Sequence, residues 1–245
     1  MQEGLKRYQA LRVLPNKYRA GRLPVFAASK SDIARDDFKG FIQPMGNGIR
    51  LGLFGGSFDP VHLGHLLVAQ AAMEELALSQ ITFIPAARSP FKPEQTAAPF
   101  PLRARWLRLA LAGHSHFELD LQEVSRDGIS YTIDTLRDYS RRYPGAKLHY
   151  IIGADHVAQL PLWRDAAELA SLTEMVVVPR PGCQPVSLPE PFRGTWLRGW
   201  PIDFSSSQIR QRVSEALPIG HMVPSGVEES ILDSRVYSKA SSNKR

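Results

Sequence analysis

The chain of 245 residues has a single cysteine, Cys183, so it can neither close an intramolecular disulfide nor build a cysteine-type zinc site. A secreted disulfide scaffold and a zinc finger are thereby excluded. No stretch approaches the roughly 18 apolar residues that a membrane-spanning helix needs, and the N-terminus lacks the apolar core of a secretory signal. Internal repeats and long low-complexity tracts are also absent. Beyond residue 48 there is almost no excess of either charge: 21 Lys and Arg stand against 20 Asp and Glu. Residues 1–48 carry nine against four, so the net charge of +6 belongs mostly to this leader. A body without clustered excess Lys and Arg gives no case for a nucleic-acid face. A soluble cytoplasmic protein, binding neither nucleic acid nor membrane, is the expectation.

What the chain does have is 43% apolar residues, enough to bury a sizeable core. Residues 1–48 show no sustained helix or strand period. They are punctuated by Pro15, Pro24 and Pro44 and close on Met45-Gly46-Asn47-Gly48, which predicts a poorly ordered appendage. Two readings of it stand open. One is a targeting or partner-binding arm, although Asp32, Asp36 and Asp37 sit badly in a transit peptide. The other, favoured here, is a start codon placed too far upstream, with Met45 near the true beginning.

From residue 49 short apolar runs alternate with amphipathic ones. Strands are expected at 49–54, 81–85, 117–121, 148–152, 175–178 and 196–200, and helices at 63–76, 102–112, 132–143, 206–217 and 227–232. In the first helix Leu63, Leu66, Leu67, Ala69, Met73 and Leu76 form the apolar stripe. This interleaving predicts an α/β fold with a parallel, doubly wound sheet and a small C-terminal helical part. One domain is expected over 49–237, with a flexible tail over 238–245. Two proline-rich loops, 85–101 and 179–191, would leave the carboxyl ends of strands and line a ligand crevice.

The informative stretch is Gly55-Gly56-Ser57-Phe58-Asp59-Pro60-Val61-His62-Leu63-Gly64-His65, between the first strand and the first helix. Two glycines let backbone approach an anion, and Ser57 adds a hydroxyl beside free N–H groups. Phe58 also reads as a core plug and Asp59-Pro60 as the turn that sets up the helix. His62 and His65, three residues apart at the positive end of the helix dipole, can donate hydrogen bonds to phosphate oxygens that gain charge as a bond breaks. Read alone, the two histidines could also be satisfied polar residues at a helix start, or two ligands of a metal that lacks a convincing third.

This run resembles the Gly-Gly-Ser/Thr-Phe-Asp-Pro-x-His-x-Gly-His signature of nucleotidyltransferases with a Rossmann-type fold. Phe204-Ser205-Ser206-Ser207-Gln208-Ile209-Arg210 resembles the Ile-Ser-Ser-Thr-x-Ile-Arg motif of that superfamily. There hydroxyls, helix-start N–H groups and an arginine hold ATP phosphates; taken alone, this run is an N-cap followed by a helix arginine. Gly128-Ile129-Ser130-Tyr131-Thr132, Ile151-Ile152-Gly153-Ala154-Asp155, Leu160-Pro161-Leu162-Trp163 and Val178-Pro179-Arg180-Pro181-Gly182 are similar, in order and spacing, to the bacterial nicotinate-nucleotide adenylyltransferases.

The resemblance covers roughly residues 49–237. It implies transfer of the AMP part of ATP to nicotinic acid mononucleotide, giving deamido-NAD and pyrophosphate without a covalent enzyme intermediate. It makes His62, His65 and Arg210 catalytic and puts Gly55, Gly56, Ser57, Phe58, Gly153, Asp155, Ser206 and Ser207 on ATP. Lys92, Tyr131, Thr132, Trp163 and Arg180 fall on the mononucleotide, with Trp163 stacked on the pyridine ring and Tyr131-Thr132 near its carboxylate. Mg²⁺ is expected to ride on the substrate phosphates, with no metal ligands from the protein. Two departures stand out. The family usually has a histidine where this chain has Phe91, which cannot hydrogen-bond and shifts weight onto Lys92, and His156 stands where a serine is common. The competing readings are another transferase with the same turn, such as a pantetheine-phosphate adenylyltransferase or a cytidylyltransferase, a non-catalytic nucleotide-binding module, and an RNA-binding protein.

Overall fold

The computed structural model describes residues 48–87, 98–125, 130–180, 182–200 and 203–238. The expectations for residues 1–47, for Phe91 and Lys92, and for the tail beyond 238 lie outside the described residues.

Period-two alternation along the strands divides the apolar residues between two cores. Leu51 and Leu53 of β1 (Arg50–Gly56), Tyr150 and Ile152 of β4 (Lys147–Gly153) and Met175 and Val177 of β5 (Thr173–Val178) join one core. Phe54, Ile151 and Val176, at the alternate positions of the same strands, join the other together with Phe83 of β2 (Gln80–Pro85). A sheet apolar on both faces must be covered on both. Helices α1 (Leu63–Leu76), α2 (Phe100–Leu111), α5 (Ser206–Ser214) and α6 (Ser225–Ser234) cover the Phe54 side. Helices α3 (Thr132–Arg142) and α4 (Ala166–Leu172) cover the Leu53 side.

With β3 (Phe117–Leu119) and β6 (Gly194–Trp196), the sheet is all parallel and runs β3-β2-β1-β4-β5-β6. This is the doubly wound α/β fold expected, and its strand order reverses between β1 and β4. There the connections leave toward opposite faces and open a crevice at the carboxyl ends of the two strands.

Several expectations are corrected. Gly55 and Gly56 do not end β1 but pair with Ile84 and Pro85 as its last two residues. In α1 the buried positions are the small residues Gly64, Ala69, Ala71 and Ala72, while Leu66, Met73 and Leu76 are only partly buried. Small residues let this helix lie close to the layer beneath it. The last strand ends at Trp196, not 200, because the N–H groups of Arg198 and Gly199 donate to the Glu75 carboxylate at 3.0 and 2.7 Å and draw the chain off the sheet. Helix α5 stops at Ser214, two residues before Ala216 takes a left-handed φ of 56°. Helix α4 and the 3-10 turns at Gln122–Ser125 and Ala154–Leu162 are additional to the predicted elements.

Candidate functional site

The glycine-rich run leaves β1 at the crevice. Phe58 has a left-handed φ of 46°, and its ring is buried against Phe54 and Phe83. Any contact of Phe58 with a ligand is therefore left to its backbone. The missing Cβ atoms of Gly55 and Gly56 also make room for protein. A Cβ on Gly55 would overlap the hydroxyl of Tyr150, and one on Gly56 would sit 3.1 Å from the Phe58 ring. The helix start offers fewer donors than expected, since the Leu63 N–H already donates to the Met222 carbonyl at 2.9 Å.

His62 and His65 do lie together, with ring centroids 3.7 Å apart. His65 packs against the edges of Phe54 and Phe58, and His62 against Phe204. The backbone N–H of His62 donates to Nδ1 of His65 at 3.1 Å. That leaves the proton of a neutral His65 on Nε2. Burial and then the Arg180 guanidinium push the His62 imidazole down from 6.5 to about 4. Burial, with His62 and Arg180 behind it, holds His65 well below its ordinary value.

The second motif closes onto the first. Ser205 caps α5 and exchanges hydrogen bonds with Gln208. Ser206 Oγ donates to the Pro60 carbonyl at 2.8 Å, and Arg210 Nη1 to the Asp59 carbonyl, also at 2.8 Å. Arg210 Nη2 reaches Ser207 Oγ at 3.1 Å. Runs about 150 residues apart in sequence thus form one cluster around the two histidines.

On the far side of the crevice, Tyr131, Thr132, Leu162, Trp163 and Arg164 line an open pocket. Thr132 Oγ1 donates to Tyr150 Oη at 3.3 Å, and the Tyr150 and Trp163 rings meet edge to face. The Arg164 guanidinium lies 4.6 Å from the centre of the Tyr131 ring. Beyond the end of β4, Asp155 stands 3.5 Å from Arg180 and 3.7 Å from His156. A Cβ on Gly153 would overlap the Asp155 carboxylate.

Residues 53–212 match the cytidylyltransferase-like family. A "probable nicotinate-nucleotide adenylyltransferase" from Methylacidiphilum infernorum is 38% identical over 192 residues, covering 77% of this chain and 92% of the relative. The chain belongs to this family, on its nicotinate-nucleotide adenylyltransferase branch. A second relative of the same name, from Geobacillus thermodenitrificans, is 39% identical over 188 residues, 77% of this chain and 86% of its own. Among solved structures, the Plasmodium falciparum nicotinic acid mononucleotide adenylyltransferase complexed with NaAD matches with a TM-score of 0.64 at 16% identity. It covers 77% of this chain and 97% of its own. At that identity it supports the fold.

Within this nucleotidyltransferase the structure adds residues that the motifs did not name. Arg103 is buried on α2, where its guanidinium donates to the carbonyls of Ser57 at 2.7 Å, Ala86 at 3.0 Å and Ala98 at 3.3 Å, bracing the turn from below. An arginine at an inward helix position, alongside Trp106, Leu107 and Ala110, was the available signal. Tyr150 and Tyr237 gave none.

Acid sensitivity follows from the histidine pair. Both folded values lie below the unfolded one, so the stabilisation from keeping the rings neutral is complete above about pH 6.5 and is lost as pH falls below it, for His62 toward about 4. For His62 alone the loss is about 3 kcal/mol. Denaturant unfolding at pH 7 and pH 4 should show the wild type losing that much more stability than His62→Ala. Parallel losses would refute the assignment.

Proposed function

We propose that the chain joins the 5′-phosphate of nicotinic acid mononucleotide to the adenylyl group of ATP. A phosphate oxygen of the mononucleotide attacks the α-phosphorus in line, the bond to the β-phosphate bridging oxygen breaks, and pyrophosphate leaves. The products are deamido-NAD and pyrophosphate. No covalent enzyme intermediate is needed, because the acceptor is already a nucleophile; positioning and charge stabilisation carry the rate. The observation that carries the proposal is the union of the two motifs around the histidines, with an aromatic pocket across the crevice.

In this reading His62 holds the α-phosphate, while His65, Ser206 and Arg210 follow the β- and γ-phosphates as the leaving group forms. Backbone of Gly55, Gly56, Ser57 and Phe58, with Gly153, Asp155 and Ser207, completes the ATP side. Trp163 stacks on the cationic pyridine ring, Tyr131 and Thr132 face its carboxylate, and Arg180 reaches over the site. Lys92, outside the described residues, belongs to the mononucleotide side by resemblance.

Mg²⁺ suits the donor set best as an ion carried by ATP. The Asp59 carboxylate is buried and hydrogen-bonded, and among the described residues no group of three His, Cys, Asp or Glu could hold a metal. Bound to the phosphates, it would neutralise charge on the departing pyrophosphate. Residues 49–237 are the proposed catalytic domain, with a cytoplasmic location. Among the described residues no helix is long and apolar enough to cross a membrane.

The test is pyrophosphate release from ATP and Mg²⁺ with nicotinic acid mononucleotide and nicotinamide mononucleotide as parallel acceptors. Preferential turnover of the acid is expected. Release with neither would sink the proposal and turn attention to the other phosphate acceptors.

A further inference from the structure

Asp59 is the acidic residue of the glycine-rich run, yet its carboxylate is only 1% exposed. Its Oδ1 accepts from the Ala98 N–H at 3.2 Å and from the hydroxyl of Tyr237 at 2.5 Å. Its Oδ2 stands 3.9 Å from Nη1 of Arg210, the same nitrogen that donates to the Asp59 carbonyl. Tyr237 lies just past α6, is 7% exposed and packs on Trp106, whose indole N–H donates to Ser230 at 3.1 Å. Burial and the Asp59 carboxylate both raise the Tyr237 hydroxyl far above its ordinary value, so it remains a donor. The C-terminal helix therefore delivers one fixed proton to the carboxylate beside a residue of the proposed phosphate clamp.

A carboxylate has two oxygens and can satisfy a guanidinium with both. Here Tyr237 occupies one of them. Without that hydroxyl, Oδ1 loses a short donor, and the carboxylate gains by closing on Arg210, the cation 3.9 Å away. Arg210, which already donates to the Asp59 carbonyl and to Ser207 and stands in a loose ion pair with Oδ2, would then be held in a direct carboxylate pair when ATP arrives. We infer that Tyr237 is a positioning residue for adenylyl transfer: by anchoring Asp59 it keeps Arg210 available to the departing phosphates. The inference rests on the reading given under Proposed function, since it assigns a purpose to the same clamp.

The test is a double-mutant cycle in the full-length chain, combining Tyr237→Phe with Arg210→Ala. ATP affinity is measured by calorimetry with Mg²⁺, and turnover with nicotinic acid mononucleotide. Tyr237→Phe should lower kcat about tenfold and weaken ATP binding about threefold, the scale of one charge-assisted hydrogen bond, with KM for the mononucleotide unchanged. In the Arg210→Ala background the same change should alter either quantity by less than about twofold. Ser230→Ala, which removes the Trp106 bond at the same helix interface, is the control: it should lower the melting temperature and leave kcat unchanged. Equal losses in both backgrounds, a matching loss in Ser230→Ala, or no loss in Tyr237→Phe would overturn the inference. A wild type that binds ATP without turning over the mononucleotide would overturn the acceptor assignment instead, and the cycle in ATP affinity would still decide the role of Tyr237.

Discussion

Replacing His62 with alanine should lower turnover by about two to three orders of magnitude, the scale seen when one preorganised donor to a developing oxyanion is lost. In the free protein His62 is a neutral ring, buried and held low by Arg180, with its partner His65 3.7 Å away. Two adjacent neutral rings carry little mutual repulsion. In the proposed mechanism, negative charge that builds on the phosphates as the α–β bond breaks would be met by N–H dipoles of desolvated rings, where each is worth more than in water. If the bond strengthens only in the transition state, kcat and kcat/KM fall together and KM for ATP barely moves. At pH 7 the variant should stay folded, because among the described residues His62 Nδ1 has no hydrogen-bond partner whose loss would cut a network. Steady-state kinetics with circular dichroism on the same sample checks this. A well-folded variant with near-normal turnover would remove His62 from the catalytic set.

Much of this site was legible because its chemistry is written in contiguous runs. The first turn needs a strand end, small residues, a turn and a helix start in succession, so its eleven positions sit side by side, and helix α1 has the expected bounds of 63–76. Strands of the parallel sheet stand out as short apolar runs because both of their faces are buried. What escaped was non-local or unperiodic. The bond between Asp59 and Tyr237 spans 178 positions and leaves no local pattern. Helix α4, at seven residues, and the 3-10 segment containing Pro161 are too short or too irregular for a 3.6-residue period to emerge. Arg103 was hidden by type: a buried arginine is read as an exposed charge until its three carbonyl partners are seen. The apolar stripe on α1 gave the packed face only in part: Ala69 is buried and Leu66, Met73 and Leu76 pack against the core, but close helix packing selects glycine and alanine for the deepest positions and leaves larger side chains at the margin.

Gly55 tests whether the glycines serve the ligand or the fold. Were Gly55 present only to admit a phosphate, alanine would weaken ATP binding and leave the rest of the protein intact. The geometry predicts otherwise. An added Cβ would overlap Tyr150 Oη and lie 3.1 Å from Cζ of the same ring. Tyr150 cannot simply withdraw: it is buried on the central strand β4, accepts from Thr132 and stands edge to face with Trp163. Gly55→Ala should therefore cost about 2–3 kcal/mol of stability, as overpacking a rigid core does. It should also raise KM for the mononucleotide more than KM for ATP, because the displaced ring pushes on Thr132 and Trp163, across the crevice from the phosphate turn. Adding Tyr150→Phe removes the overlapping oxygen and leaves only the tight contact to the ring carbon, so the double variant should regain part of the stability lost. Denaturant unfolding of the two single variants and the double variant, with KM for both substrates, separates the possibilities. A Gly55→Ala protein as stable as the wild type, or a loss that Tyr150→Phe does nothing to relieve, would mean that this glycine answers to the phosphate and not to Tyr150.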